Sequence, residues 1–254
     1  MEQPAHKKRI YTAALVIIGD EILSGRTQDA NLAYLAKWLN VQGIRLKEAR
    51  VVADEQPAIV EAVNACRARH DYVFTTGGIG PTHDDITVDA IAAAFQVPVV
   101  LHPRAEAMLR AHYAERITEA RLRMARVPQG ADIIENKGSA APGVRVGNVF
   151  ILAGIPTVMR AMLDSLDGAL EGGDPVLSRT VGAHVAESEV AELLRTVEAD
   201  IEGVQVGSYP FWRQGKIGAN FVVRSTDVER VNAACGAILD GLRALGVDPV
   251  DGEL

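Results

Sequence analysis

Cysteine is nearly absent: Cys66 and Cys235 are the two in 254 residues. They lie far apart, in stretches that read as helices, and show no metal-ligand spacing. That argues against a disulfide framework or a structural zinc site and leaves two reduced thiols. Basic charge is not in excess either. The 26 Lys and Arg face 33 Asp and Glu, for a net charge of -7. Nonspecific nucleic-acid binding rests on neutralising phosphates, so no nucleic-acid partner is expected. No apolar run approaches the roughly 18 residues of a membrane span, and no membrane partner is expected. The start, M-E-Q-P-A-H-K-K-R, is basic but precedes only a short strand-like run. It reads as a frayed terminus rather than a signal peptide, with a cytoplasmic protein as the default.

What the sequence does hold is an ordinary globular composition and one informative stretch. Hydrophobic residues make up 48% and charged residues 23%, enough for a sizeable core in one large or two smaller domains. The stretch is Tyr72 to Thr87, Y-V-F-T-T-G-G-I-G-P-T-H-D-D-I-T. Tyr72, Val73 and Phe74 favour a strand. Gly77, Gly78, Gly80 and Pro81 break it. A helix is expected next, capped by Asp84 or Asp85, with Ile86, Val88, Ile91 and Ala92 buried. Strand, glycine turn and helix start in that order can bind an anion through bare amides, or can merely close the chain. The second aspartate tilts towards binding, because a cap needs only one. His83 reads as a solvated turn residue.

The rest of the chain supports an α/β architecture. Thr12 to Ile18 is a continuous apolar strand, ending in Gly19-Asp20-Glu21. A helix capped by Asp29 should bury Leu32, Leu35, Ala36 and Leu39, and Gly43 should follow its C-cap. A strand over 45–53 leads to Asp54 and to a helix with Pro57 near its first turn and Ile59, Val60 and Val63 inward. This β-α-β-α-β-α order implies parallel strands. A short strand or extended link is expected at 97–101. One long amphipathic helix is expected over 104–124, its arginines forming a solvated face from which one or two could reach an anionic ligand. The small-residue segment Gly138 to Gly143 suits a close backbone approach or a plain loop. A hairpin over 144–152 should turn at Gly147-Asn148. It leads into Ala153-Gly154-Ile155-Pro156 and a second strand–glycine–helix junction. Glu171 to Pro175 reads as a boundary. Beyond it come a strand at 178–185, a helix at 187–201, strands at 204–209 and 217–224, and a closing helix at 227–245. Tyr209, Phe211, Trp212 and Arg213 read as core plus a solvent-facing tip, or as contacts to a ligand or partner.

G-D-E-I-L-S-G with Asp29 and Asn31, A-D-E at 53–55, and T-T-G-G-I-G-P-T-H-D-D-I-T together resemble the Mog/MoaB molybdopterin-binding domain family. The resemblance covers roughly residues 10–170. It is strongest to the branch of competence/damage-inducible protein A (CinA) and of the pterin-binding-like half of eukaryotic FAD synthase. V-G-S-Y-P at 206–210 resembles the small α+β KH-like domain that follows in that branch, here over 175–246. The C-terminal amidohydrolase domain of full-length CinA has no counterpart, so nicotinamide mononucleotide deamidation is not carried over.

The resemblance implies a three-layer α/β/α fold with a mostly parallel sheet and a site at the strand ends. It implies a small pterin or nucleotide ligand, molybdopterin included, and self-association as a dimer or trimer. By position, Asp54 and Asp85 match the catalytic acids. Gly77, Gly78 and Gly80, with Pro81 and Thr82, match the phosphate-facing loop, and Thr87 the helix start behind it. Gly19, Ser139, Gly154 and Pro156 complete the ligand-binding set. The chain departs from the pattern at Val158, where a glutamate is usual, and at Ser139 and Ala140, where glycine and threonine are usual.

Charge decides what such a site needs. A carboxylate about 4 Å from a phosphate costs about 4 kcal/mol at an effective dielectric near 20. A helix start returns only about 0.3–1 kcal/mol, or up to about 2 when partly buried. The loop has no lysine, so it is not a Walker-type loop. A hydrated Mg²⁺ held by Asp85 with Asp54 or Asp20 would balance the charge. On that expectation Asp85→Asn ends metal-dependent turnover and leaves stability within about 1 kcal/mol. Three functions stay open: cleavage of nucleotide pyrophosphates of the ADP-ribose or FAD class, adenylylation of molybdopterin, and ligand binding without turnover.

Overall fold

Strand β1 (Tyr11–Ile18) is an interior strand of the amino-terminal unit, and its sequence shows why. Ala13, Leu15 and Ile17 point to one face and Ala14, Val16 and Ile18 to the other, and all six are buried. A strand apolar on both faces must be covered on both faces. The computed structural model describes residues 9–136, 141–213 and 215–254, and these form two compact units, through Gly173 and from Asp174 onward.

In the first unit β1 is followed by the single turn α1 (Asp20–Leu23), helix α2 (Asn31–Val41), β2 (Ile44–Val52), α3 (Gln56–Arg67), β3 (Tyr72–Thr76) and α4 (Thr87–Phe95). Then come β4 (Val99–Leu101), α5 (Pro103–Tyr113), the short α6 (Glu119–Leu122), β5 (Arg126–Pro128), β6 (Asp132–Ile134), β7 (Gly143–Val146), β8 (Val149–Leu152) and α7 (Pro156–Asp164). The main sheet runs β2-β1-β3-β8-β7-β6. Its first four strands are parallel, and β7 and β6 are antiparallel to their neighbours. One face packs on Ile59, Val63 and Cys66 of α3 and Ala90, Ile91 and Ala94 of α4. The other packs on Leu35, Trp38 and Leu39 of α2 and Met159, Met162 and Leu163 of α7. This is the expected three-layer α/β/α arrangement. Each large apolar side chain fully buried in those layers contributes about 1.5–3 kcal/mol.

Several local expectations change. Ala30 rather than Asp29 is the residue before α2, and it makes no side-chain cap, but Asp29 accepts from the Leu32 amide at 2.8 Å one residue earlier. The buried stripe there is Asn31, Leu35, Trp38 and Leu39, while Leu32 is exposed. Trp38 takes that place because its ring packs edge-on against Phe74 and its indole N–H donates to Asp167 at 2.6 Å. The expected helix over 104–124 is not continuous. It ends where Ala114 adopts φ +46°, and α6 restarts at Thr118, whose hydroxyl accepts from the Arg121 amide. The break lets Ile117 and Met124 close a small core on Ala105, Leu109 and Ala125. Neither Asp84 nor Asp85 caps α4: Ile86 is the residue before it, with no side-chain cap. Ser139 and Ala140 lie outside the described residues.

The second unit contains β9 (Leu177–Ala183), α8 (Glu187–Asp200), β10 (Gln205–Arg213), β11 (Lys216–Ser225), α9 (Val228–Ala244) and β12 (Val250–Asp251). Its antiparallel sheet runs β10-β11-β9-β12 over a core that includes Val190, Val197, Phe221, Cys235 and Ile238. β10 and β11 run further than the expected strands, pairing out to Arg213 and Lys216 and leaving Tyr209 and Trp212 exposed. Both cysteines are free and buried in helices. Among the described residues no helix is long and apolar enough to cross a membrane.

Candidate functional site

In an open parallel sheet, ligands sit outside the carboxyl ends of the strands where the strand order reverses. Here the chain leaves β1 for β2 on one side and returns to β3 on the other, so the switch lies between β1 and β3. Glycine follows three neighbouring strands at that edge: Gly19 after β1, Gly77 after β3 and Gly154 beyond β8. Gly77 has φ +104°, and a Cβ there would lie 2.1 Å from the Ile18 carbonyl oxygen. Its amide donates to Leu152 O at 3.3 Å. Gly77→Ala therefore meets both a forbidden backbone region and an immovable atom, at an expected cost of about 3 kcal/mol or more. Gly25, at φ +72° with nothing within 4 Å, should cost only about 1–2 kcal/mol on the same change. Calorimetric melting of the two variants tests this; equal shifts would rule out the close approach.

The loop after Gly77 is organised by two residues behind it. Thr87 is buried, and its hydroxyl donates to Gly77 O at 2.9 Å while its amide donates to Gly78 O at 3.1 Å. It shapes the loop from inside. Asp85 folds back under the loop. Its carboxylate accepts from the Gly80 amide at 2.7 Å, from the Thr82 amide at 2.8 Å and from the Thr82 hydroxyl. A Cβ on Gly80 would come within 2.6 Å of that carboxylate, which is the local reason for glycine there. Two of the amides expected to face a phosphate are thus turned onto the chain's own anion.

Asp20 and Asp54 are brought together at the ends of β1 and β2. The Asp20 amide donates to Asp54 Oδ2 at 2.9 Å, and the Asp54 amide to Asp20 Oδ1 at 3.4 Å. Burial pushes the Asp54 carboxyl above its ordinary range; the Asp20 amide opposes this, and the charges of Asp20, Glu21 and Asp84 add to it. The loop carboxylate bearing on Asp54 is thus Asp84, beside the Asp85 that the motif singles out. Among the described residues no three His, Cys, Asp or Glu side chains converge as a preformed metal centre. The Asp20 carboxylate fits a narrower role, one of the one or two protein ligands that a hydrated Mg²⁺ would take when substrate oxygens complete its shell.

At the third strand end, Gly154 O accepts from Asn31 Nδ2 at 2.8 Å, and Pro156 opens α7. Asn31 is only 4% exposed, yet its Oδ1 has no partner, and Thr76 Oγ1 at the end of β3 is equally orphaned. Buried polar atoms are nearly always hydrogen-bonded, so these two are exceptions to the rule. Sequence reasoning noted Asn31 within the motif but gave it no role, since burial is not visible in a motif. It allowed one or two arginines of 104–124 to reach an anionic ligand but singled out neither Arg123 nor, beyond that segment, Arg126. With Gly78, Gly80, Asp85 and Val88 they line the crevice on the other side of the loop, a position set by the broken helix.

Residues 14–171 match the family model described as "Probable molybdopterin binding domain", and residues 175–251 the model described as "FAD synthase, middle domain". A protein of Aeropyrum pernix is 32% identical over 257 residues, covering 95% of this chain and 96% of its own. A "CinA-like protein" of Desulfosudis oleivorans is 32% identical over 209 residues, covering 77% of this chain and 51% of that protein. The crystal structure of CinA, a protein of unknown function from Thermoplasma acidophilum, is 33% identical with a TM-score of 0.59, covering 63% of this chain and 98% of that one. The match runs through the glycine loop and both acidic strand ends, and the chain belongs to the molybdopterin-binding domain family, with CinA-like relatives.

Proposed function

We propose that the strand-end crevice binds a nucleotide or pterin through its diphosphate and cleaves the pyrophosphate bond of compounds of the ADP-ribose or FAD class. The observation that carries this reading is the Asp20–Asp54 pair beside the glycine loop, with the Asp54 carboxyl raised by burial and by its acidic neighbours. A raised carboxylate is a better proton acceptor, and such groups gather at catalytic sites. Asp54 takes a proton from a water as its oxygen bonds to one phosphorus. The bridging P–O bond breaks, and its electron pair leaves with the other phosphate. ADP-ribose and water thus give AMP and ribose phosphate. A magnesium ion held by Asp20 would supply positive charge for the diphosphate and leave the Asp54 carboxylate to take the proton.

A second reading is adenylyl transfer to molybdopterin, the ligand that the family description names. The match of residues 175–251 to the FAD synthase middle domain keeps FAD among the ligands to try. Incubation with ADP-ribose, FAD or ATP, with and without Mg²⁺, separates the two. AMP released from ADP-ribose or FAD is the expected result. AMP appearing only on added molybdopterin, from ATP, would replace hydrolysis with transfer. Tight binding with no AMP in either arm would leave a binding module, in keeping with Val158 in place of the usual glutamate.

A further inference from the structure

The glycine loop has an acidic side, facing Asp20, Glu21 and Asp54 through Asp84, and a side lined by arginine. On the latter, Arg123 and Arg126 rise from the segment that follows α6 and stand with Gly78, Gly80 and Asp85 around one crevice. Ile79, Val88, Met124, Pro142 and Val144 form its apolar part. The charges differ in how they are held. Arg126 is paired with Asp89 of α4 at 2.6 Å. The Asp85 carboxylate is held by the Gly80 and Thr82 donors. The Arg123 guanidinium is exposed and makes no hydrogen bond or ion pair with another described residue.

We infer that Arg123 is the cation that captures the ligand's diphosphate, with the Arg126–Asp89 pair holding the wall behind it. The loop has no lysine, and the Gly80 and Thr82 amides are already engaged. The charge an anion needs must therefore come from another element. A guanidinium presents a planar fork that matches two phosphate oxygens, and apolar walls strengthen the pair by displacing water. This rests on the diphosphate reading of the loop, so binding is measured apart from turnover.

Calorimetric titration with inorganic pyrophosphate and with ADP-ribose tests it. Arg123→Gln is expected to weaken both by roughly ten- to hundredfold, the range for a hydrogen bond between charged groups. It should also flatten the salt dependence and leave Tm unchanged. Arg123→Lys should recover part of the loss. Arg121→Gln, in the same segment but with its guanidinium stacked 4.3 Å from the Tyr113 ring centre, should leave both affinities alone. Native-like affinity in Arg123→Gln, an equal loss in Arg121→Gln, or no pyrophosphate binding by the native protein would each overturn the inference. Pyrophosphate captured through Arg123 without cleavage of any nucleotide would refute hydrolysis and leave Arg123 in its role.

Discussion

Asp54→Asn is expected to lose turnover by about 10²–10⁴-fold, the usual contribution of a positioned base, without any fall in melting temperature at neutral pH. The two halves of that result share one cause. Burial, with the charges of Asp20, Glu21 and Asp84, raises the Asp54 carboxyl above its unfolded value. The folded chain therefore holds the proton more tightly than the unfolded chain does. The associated stability is present below the unfolded pKa and is lost as pH rises through the folded one. At neutral pH the ionised group weakens the fold slightly, and an amide of the same shape relieves it. The amide oxygen can still accept from the Asp20 N–H, which now lies 2.9 Å from Asp54 Oδ2.

The pH profile supplies an independent check. The acidic limb of kcat/KM should rise through a pKa above the ordinary aspartate range and vanish in the variant. Activity within tenfold of native would remove Asp54 as the base. A large drop in Tm would make its link to Asp20 structural instead.

The architecture was legible because it is written in periods. Alternation along β1 sends Ala13, Leu15 and Ile17 to one core and Ala14, Val16 and Ile18 to the other, and a strand buried on both faces has few homes outside a three-layer fold. Gly43, Gly77 and Gly147 were legible as turns, and all three adopt positive φ. What misled was local chemistry with two outcomes. An aspartate before a helix can cap it or fold back into the preceding loop, and only the position of Gly80 and Thr82 decides which. The segment after α5 carries no glycine or proline between Tyr113 and Thr118. Its break comes instead from the packing of Ile117 and Met124 on Leu109, which no spacing rule encodes. That break sets Arg123 and Arg126 beside the loop, so which of the segment's arginines reach the site was hidden with it.

Asp85→Asn is expected to weaken ligand binding severely and also to destabilise the first unit by about 2 kcal/mol, more than a merely ligand-facing carboxylate would. In the native loop its two oxygens accept two amides and one hydroxyl. Hydrogen bonds to a charged acceptor contribute about 1.5–3 kcal/mol each when buried, and less at a half-exposed turn such as this. Asparagine keeps one acceptor oxygen and turns an N–H₂ towards the donors, so either the Gly80 or the Thr82 amide loses its partner. For a domain of this size about 2 kcal/mol corresponds to a fall of roughly 4–8 °C in Tm. The loop should open at Gly80, where a fold-back without the charge has less to hold it. Asp84→Asn, one residue earlier and exposed, is the matched control and should leave Tm within about 1–2 °C. Scanning calorimetry of both, with pyrophosphate titration alongside, gives two clear patterns. Loss of binding together with loss of Tm only at Asp85 makes it the strut that shapes the anion crevice. Loss of binding with Tm unchanged would return it to direct contact with the ligand or its cation, and the loop would then owe its shape to Thr87 and the glycines alone.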